Sequence, residues 1–192
     1  FRYLPRLKSY YRPEKRKKYM VNLQLVGLLG IITIILLVNM IKIIKEYERA
    51  VIFRLGRVLG KPKGPGVFVV IPIIDKIKII DQRILTLDIP KQGIITRDNV
   101  TVDVDAVVYL KVMDPLDAVI KVQDYIVASS LISQTTLRDV IGQCDFDDIL
   151  SKRDELNKRM KIILDEVTNP WGIKVNSVAI RDVAIPDVMQ RA

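Results

Sequence analysis

The chain has 192 residues, with 31 lysines and arginines, 22 aspartates and glutamates, and no histidine. Without histidine, Ser-His-Asp and Cys-His nucleophiles and histidine-ligated zinc sites are excluded. The net charge of +9 is uneven, because residues 1–49 hold 11 of the basic and 3 of the acidic residues. The rest of the chain is close to neutral, which argues against a nucleic-acid partner.

The basic excess lies in an N-terminal segment, residues 1–19, directly before a long apolar run. A basic cluster beside a membrane helix suits anionic lipid headgroups. The residues predicted to contact headgroups are Arg12, Lys15, Arg16, Lys17 and Lys18.

Residues 20–41 contain neither a charged residue nor a proline. A helix rises about 1.5 Å per residue, so this run suffices for the roughly 30 Å hydrocarbon core of a bilayer. We predict a membrane-embedded helix over residues 20–44, either a single span or a monotopic segment. A helix buried in a large soluble protein is the alternative, but little else in the chain could cover it. The membrane-spanning positions are represented by Met20, Leu25, Leu29, Ile34, Leu37 and Ile41.

Short strands are predicted after the apolar run. Residues 50–55 are rich in β-branched and apolar side chains and end at Gly56, and further strands are expected near residues 77–80 and 84–89. The segment between them is apolar without polar alternation, so it is either a core strand or a surface that meets lipid. Its residues are Val67, Phe68, Val69, Val70 and Ile71, and we expect Phe68 to be the inserted aromatic side chain.

The clearest strand is predicted over residues 101–112, where apolar and polar residues alternate with Val107 as the exception. Period two indicates one face on a core and another that is wet or paired with a partner. The second face is either simply solvated or pairs with charges of a neighbouring subunit. The candidate oligomer contacts are Asp103, Asp105, Tyr109 and Lys111.

Helices follow this strand. Asp114-Pro115 is typical of an N-cap with proline at the first helical position, and residues 125–141 have apolar spacing for a second helix. Ser151 to Asp154 resembles a capping box that begins a third helix, which Asn169-Pro170 and Gly172 would end. Residues 173–183 are predicted to form a strand, so the fold class is α+β.

Two further features of the sequence are candidate sites. Asp145, Asp147 and Asp148 lack the sharp-turn glycine of a calcium loop, so we interpret them as acids at a helix N-terminus. Cys144 is interpreted as a small core residue. No catalytic residue, metal or cofactor is predicted.

Long motifs in this chain resemble the stomatin-like (slipin) branch of the stomatin/prohibitin/flotillin superfamily, whose shared domain is called band 7 or SPFH. The resemblance runs from residue 47 to residue 192. The motifs are Tyr47-Glu-Arg-Ala-Val-Ile-Phe-Arg-Leu-Gly56, Lys63-Gly-Pro-Gly66, Ile71-Pro72, Thr96-Arg-Asp-Asn-Val-Thr-Val-Asp-Val-Asp-Ala-Val-Val-Tyr109, Asp114-Pro115, Ser133-Gln-Thr-Thr-Leu-Arg138, Trp171-Gly-Ile-Lys-Val175, Ile185-Pro186 and Met189-Gln-Arg-Ala192.

This resemblance implies an SPFH domain with an antiparallel-rich sheet and helices over residues 45–186. Residues 187–192 would begin a C-terminal helix, and the family's coiled coil would lie beyond Ala192. It further implies a non-enzymatic membrane scaffold that assembles into a homo-oligomeric ring or cage and modulates membrane proteins.

The alternative function is a regulatory subunit of a membrane protease or ion channel. The expected partners are membrane lipids, further copies of the chain and such a protease or channel. Positive-inside logic would put the domain outside the cell for a single span. The resemblance implies the cytosolic side of the plasma or cell membrane, which we expect.

Overall fold

The structure, a computed structural model, describes residues 26–184 except residues 32 and 36. The described residues fall into two compact units. One unit combines the residues up to Lys42 with Val67–Ile73, and the other combines Ile43–Gly66 with the residues from Ile74 onward. The elements in chain order are α1 (helical within residues 26–40), β1 (Ile41–Ile44), β2 (Glu48–Arg54), β3 (Arg57–Val58), β4 (Gly66–Val69), β5 (Asp75–Asp81), β6 (Leu85–Ile95), β7 (Thr101–Val112), α2 (Pro115–Ile120), α3 (Tyr125–Gly142), α4 (Phe146–Ser151), α5 (Arg153–Thr168), a 3₁₀ turn (Asn169–Trp171) and β8 (Ile173–Ala184).

In the first unit, the chain changes from helix to strand at residue 41. Strand β1 pairs with β4 in a two-stranded sheet, and the Val70 N–H donates to the Met40 carbonyl at 2.8 Å. The predicted helix over residues 20–44 is therefore wrong at its end, because Ile41–Ile44 is extended. β-branched isoleucine is as compatible with a strand as with an apolar helix, and the pairing with β4 favours the strand.

In the second unit, β2 lies between β3 and β5 in an antiparallel sheet. The two-residue loop between β2 and β3 has positive φ at both Leu55 (49°) and Gly56 (82°), as a type I′ hairpin requires. Arg54 on β2 donates two hydrogen bonds to Asp75 of β5, at 2.8 and 2.9 Å. This bidentate pair joins the ends of the two strands.

The main core lies between a second antiparallel sheet, ordered β6-β7-β8, and helices α3 and α5. The alternating apolar side chains of β7, such as Val104, Val108 and Leu110, are all buried in this core. They meet Leu137 and Ile141 from α3 and Met160 and Leu164 from α5. The strand predicted over residues 101–112 and the α+β class are confirmed.

Side chains of α5 satisfy main-chain groups of β8, which among the described residues pairs with β7 alone. The N–H of Val175 donates to Asp165, and the N–H of Ile180 donates to Asn157, both at 2.9 Å. The Thr168 hydroxyl donates to the Ile173 carbonyl at 3.3 Å. Groups satisfied in this way do not offer a template for another strand.

Two helix starts follow the sequence and one does not. Asp114 caps α2, with Pro115 as its first residue, as predicted. Asp124 caps α3 through the N–H groups of Ile126 and Val127. The predicted capping box from Ser151 is wrong, because Ser151 ends α4 and donates its hydroxyl to the Asp147 carbonyl.

Candidate membrane and assembly surfaces

The first unit exposes an apolar surface. Every described side chain of α1 before Met40 is exposed, although most are leucine, isoleucine or valine. Val67 and Ile73 of the same unit are also exposed, the latter by 94%. An exposed apolar patch of this kind marks contact with a membrane or another protein.

Only some of the residues predicted to lie in the membrane belong to the described part of the chain. Leu29, Ile34 and Leu37 lie on α1, and Ile41 begins β1; all four are exposed. Among residues 26–31, 33–35 and 37–184, no helix has the length and apolarity needed to cross a membrane. Met20, Leu25 and the basic set Arg12, Lys15, Arg16, Lys17 and Lys18 lie outside the described residues.

The apolar segment over residues 67–71, which begins in strand β4, has both an exposed and a buried side. Val67 and Val69 are exposed, Phe68 is half-buried and Val70 is buried. Because side chains of a strand alternate, Val67 and Val69 share the outward face. Ile71, two residues beyond the strand, is 39% exposed. The outward face that could meet lipid is therefore aliphatic, and the expectation that Phe68 leads the insertion does not fit its position.

The face of the second sheet opposite the core carries the other predicted contacts. Asp103 and Lys111 are half-buried, and Tyr109 is 37% exposed. These three residues remain available for a partner. Asp105 is different, with only 6% of its surface exposed.

Asp105 pairs within its own chain. Its carboxylate lies 3.1 Å from Arg181 of β8, which also pairs with Asp88 of β6. It also accepts the N–H of Asp182 at 3.1 Å, where β8 bulges opposite residue 105. The prediction that Asp105 contacts a neighbouring subunit does not fit this position, because Arg181 and Asp182 already occupy its carboxylate.

We expect Asp105→Ala to lower the free energy of unfolding by about 2 kcal/mol, because it leaves the Asp182 N–H without its acceptor and removes one partner of Arg181. Half of the Arg181 side chain is exposed and it keeps Asp88, so the loss is smaller than for a fully buried pair. Urea unfolding would measure the change. Asp103→Ala on the same face is the matched control, and an equal loss in both variants would contradict the assignment.

The turn between β6 and β7 is attached to the start of α4. Arg97 forms an ion pair with Asp145, and its N–H donates to the Cys144 carbonyl at 3.0 Å. The Asp98 carboxylate accepts the N–H of Phe146, the first residue of α4. Asp145 is the cap residue of α4, and Asp147 and Asp148 occupy its first turn, so the interpretation as helix N-terminal acids is confirmed.

This attachment makes stability depend on pH. The Thr96 hydroxyl, which donates to Asp98, and to a lesser extent the Phe146 N–H, hold the pKa of the Asp98 carboxyl below its usual range. An unfolded aspartate titrates near pH 3.9, so the contribution of Asp98 is complete above roughly pH 5 and is lost as the pH falls through its lowered pKa.

We therefore expect Asp98→Asn to be less stable than the parent at pH 7, with the difference shrinking between about pH 4 and pH 2. Thermal unfolding across this range would measure it. Asp139→Asn on the exposed side of α3 is the control, since the Asp139 carboxylate is exposed and forms no ion pair with another described residue. A difference for Asp98→Asn that is constant with pH would show that charge is not responsible.

The structure places Cys144 among core residues. Cys144 is buried in the main core, its Sγ lies 3.1 Å from the Val140 carbonyl, and burial raises the pKa of its thiol. Its interpretation as a core residue is confirmed. Within residues 26–184, as far as they are described, no cluster of three or more His, Cys, Asp or Glu could hold a metal ion.

The sequence interpretation missed Asp88 and Arg181, which complete the ion pairs around Asp105. No local signal would have found them, because Arg181 and Asp88 are 93 residues apart and meet only through the register of three strands. It also missed a pocket around Tyr47 and Arg83, where the aromatic ring and the guanidinium lie 4.1 Å apart.

A family model described as SPFH domain / Band 7 family matches residues 42–192. The chain belongs to this family, and the prediction of a stomatin-like member is confirmed. A stomatin homolog of Pyrococcus abyssi is 59% identical over 150 residues, covering 78% of this chain and 56% of the relative. Stomatin-1 of Caenorhabditis elegans is 51% identical over 150 residues, and mouse stomatin is 46% identical over 151. These matches cover 78% of this chain each, and 46% and 53% of the relatives. The chain spans about half the length of the relatives it matches.

Proposed function

We propose that this chain is a non-enzymatic, membrane-anchored scaffold that assembles into a large homo-oligomer and thereby organises a patch of membrane. The observation that carries the proposal is the exposed apolar surface of the first unit, attached to a stomatin-like SPFH domain. An aqueous environment would penalise that surface, whereas lipid would not. The uncharged run over residues 20–41 extends the same character toward the N-terminus.

Anchoring would use two parts of the chain. Residues 20–41 would be embedded, and the basic residues between 12 and 18 would lie among anionic headgroups. The aliphatic face of β4, with Val67 and Val69, would rest against the bilayer. We place the SPFH domain on the cytosolic side of the plasma or cell membrane, and protease protection in sealed vesicles would test that orientation.

The contact of β4 with lipid is tested by labelling single cysteine variants, made in a Cys144→Ser background, with an environment-sensitive fluorophore. A label at residue 69 should be quenched by lipid-borne quenchers, because Val69 is 68% exposed on the apolar surface. A label at residue 109 on the second sheet should not be quenched. Equal quenching at the two positions, or none at residue 69, would contradict the contact.

Assembly would use the open face of the second sheet rather than the edge of β8. Side chains of α5 occupy main-chain groups of that edge, so strand addition there is disfavoured. Tyr109, Asp103 and Lys111 offer an aromatic side chain and both signs of charge on the open face. Mixed charges set register between copies, and confinement to a membrane raises their effective concentration.

The deciding measurement is the particle mass in mild detergent. A large closed particle supports the scaffold, and Tyr109→Ala should reduce its mass while Thr135→Ala, an exposed α3 control, should not. A particle that stays monomeric or dimeric at micromolar concentration would contradict assembly. Co-purification of a foreign membrane protein in stoichiometric amount would favour the regulatory subunit of a protease or channel.

A further inference from the structure

A pocket of about 550 Å³ lies within the second unit, beside the end of the open face of the second sheet, with which it shares Lys111. It is formed where the residues before β2, the link between β5 and β6, and the ends of β7 and β8 meet. Its polar lining includes Tyr47, Arg83, Lys111 and Asn176, with Glu46 as its carboxylate. A pocket with several convergent polar groups is a candidate binding site.

Lys111, which lines the pocket, belongs to an unbalanced pair of charges. Lys111 on β7 lies directly opposite Lys174 on β8 in the strand register. Like charges directly opposite each other on neighbouring strands are destabilising. Neither ammonium group has a carboxylate of another described residue within ion-pair distance. The repulsion between these lysines is therefore not relieved by the described part of the chain.

Arg83 lines the same pocket and has partners on one side of its guanidinium. Its Nε and one terminal nitrogen donate to Asp81, the latter at 2.6 Å, and its guanidinium lies over the Tyr47 ring. The second terminal nitrogen, Nη1, makes no hydrogen bond to another described residue. A guanidinium fixed on one side presents its remaining N–H groups to a ligand at little entropic cost.

We propose that this pocket binds a phosphate-bearing anion. Arg83 Nη1 and Lys111 of its lining supply positive charge, Lys174 adds charge from the neighbouring strand position, and the Asn176 amide is available as a neutral donor. The bound anion would offset the repulsion between the two lysines. Asp81 does not compete strongly, because Arg83 already occupies its carboxylate. The Glu46 carboxylate also lines the pocket and would repel the anion, so removing its charge should strengthen anion binding. The phosphate could belong to a soluble compound or to the headgroup of an anionic lipid.

The test titrates the detergent-solubilised chain with sn-glycerol 3-phosphate and, separately, with phosphatidic acid, which carries that group on a lipid. Native mass spectrometry measures the dissociation constant of each. Lys111→Gln/Lys174→Gln should weaken binding at least tenfold. The control Lys91→Gln/Lys158→Gln removes the same charge from two exposed positions elsewhere and should change binding less than twofold. Glu46→Gln should tighten binding severalfold, because it removes the opposing charge.

Binding of both ligands with this pattern supports a general phosphate site, and binding of phosphatidic acid alone assigns it to a lipid headgroup. The proposal is overturned if the parent binds neither ligand, or if the pocket variant and the control lose affinity equally. Thermal unfolding checks that the variants are folded. The Lys111→Gln/Lys174→Gln variant should be no less stable than the parent without ligand. The ligand should raise the melting temperature of the parent and of the control more than that of this variant. These readouts measure ligand binding, whereas the scaffold is tested by particle mass. Because Lys111 also lies on the proposed assembly face, the particle mass of the Lys111→Gln/Lys174→Gln variant is measured beside its affinity, and a loss of affinity at the parent's mass supports the pocket.

Discussion

Replacing Gly172 with alanine is expected to lower the free energy of unfolding by about 3 kcal/mol. Gly172 has φ +73°, and a Cβ built there would lie 2.5 Å from the Asp114 carbonyl oxygen and 2.9 Å from the Asp114 Cβ. The backbone cannot easily move away, because the N–H groups of Met113 and Asp114 both donate to the Gly172 carbonyl. This close approach connects the start of β8 to the start of α2.

Urea unfolding followed by the fluorescence of Trp171, the single tryptophan, would measure the loss. Gly60→Ala is the matched control, because Gly60 has φ +65° but nothing within 4 Å of its Cβ. It should lose only the left-handed cost of about 1 kcal/mol. Gly172→Asn separates the two causes further, since asparagine tolerates positive φ but still carries a Cβ. If Gly172→Asn were as stable as the parent, the collision with Asp114 would not be the cause.

Placing arginine at both Leu29 and Ile34 is expected to release the chain from membranes. The two side chains are exposed on α1, within the uncharged run over residues 20–41. On insertion scales, each arginine near the centre of a bilayer costs roughly 2.5 to 3.5 kcal/mol, and two together exceed what the remaining apolar residues readily offset. The parent should stay in the pellet after alkaline carbonate extraction, and the Leu29→Arg/Ile34→Arg variant should appear in the supernatant.

The control places the same charges on exposed apolar positions of the second unit, as Leu131→Arg/Ile162→Arg. This variant should remain in the pellet, since neither α3 nor α5 belongs to the proposed anchor. Extraction of the parent itself by carbonate would refute integral anchoring. If the Leu29→Arg/Ile34→Arg variant stayed in the pellet, the membrane anchor would have to lie in another part of the chain.

A candidate surface could be predicted from the sequence where its residues are contiguous in the chain, and not where it depends on strand pairing. The apolar surface is visible in the sequence because a long uncharged run has the same meaning wherever it lies. The outward face of β4 could not be predicted from the sequence. The residues from Val67 to Val70 are all apolar, and only strand pairing decides which of them point outward. The pocket around Arg83 could not be predicted for the same reason, since its lining residues Arg83, Lys111 and Asn176 are distant in the chain and meet only in the folded domain.

From the sequence alone followed the family, the α+β class, the alternating strand β7, and the cap at Asp114 with Pro115. These depend on side-chain periodicity and backbone preferences that act over a few residues. Tertiary structure decided that Ile41–Ile44 is a strand, that Asp105 turns to Arg181 rather than to a partner, and that α5 covers the edge of β8. Each of these depends on which main-chain and charged groups from distant segments meet in one register, and periodicity within a single segment does not encode that meeting.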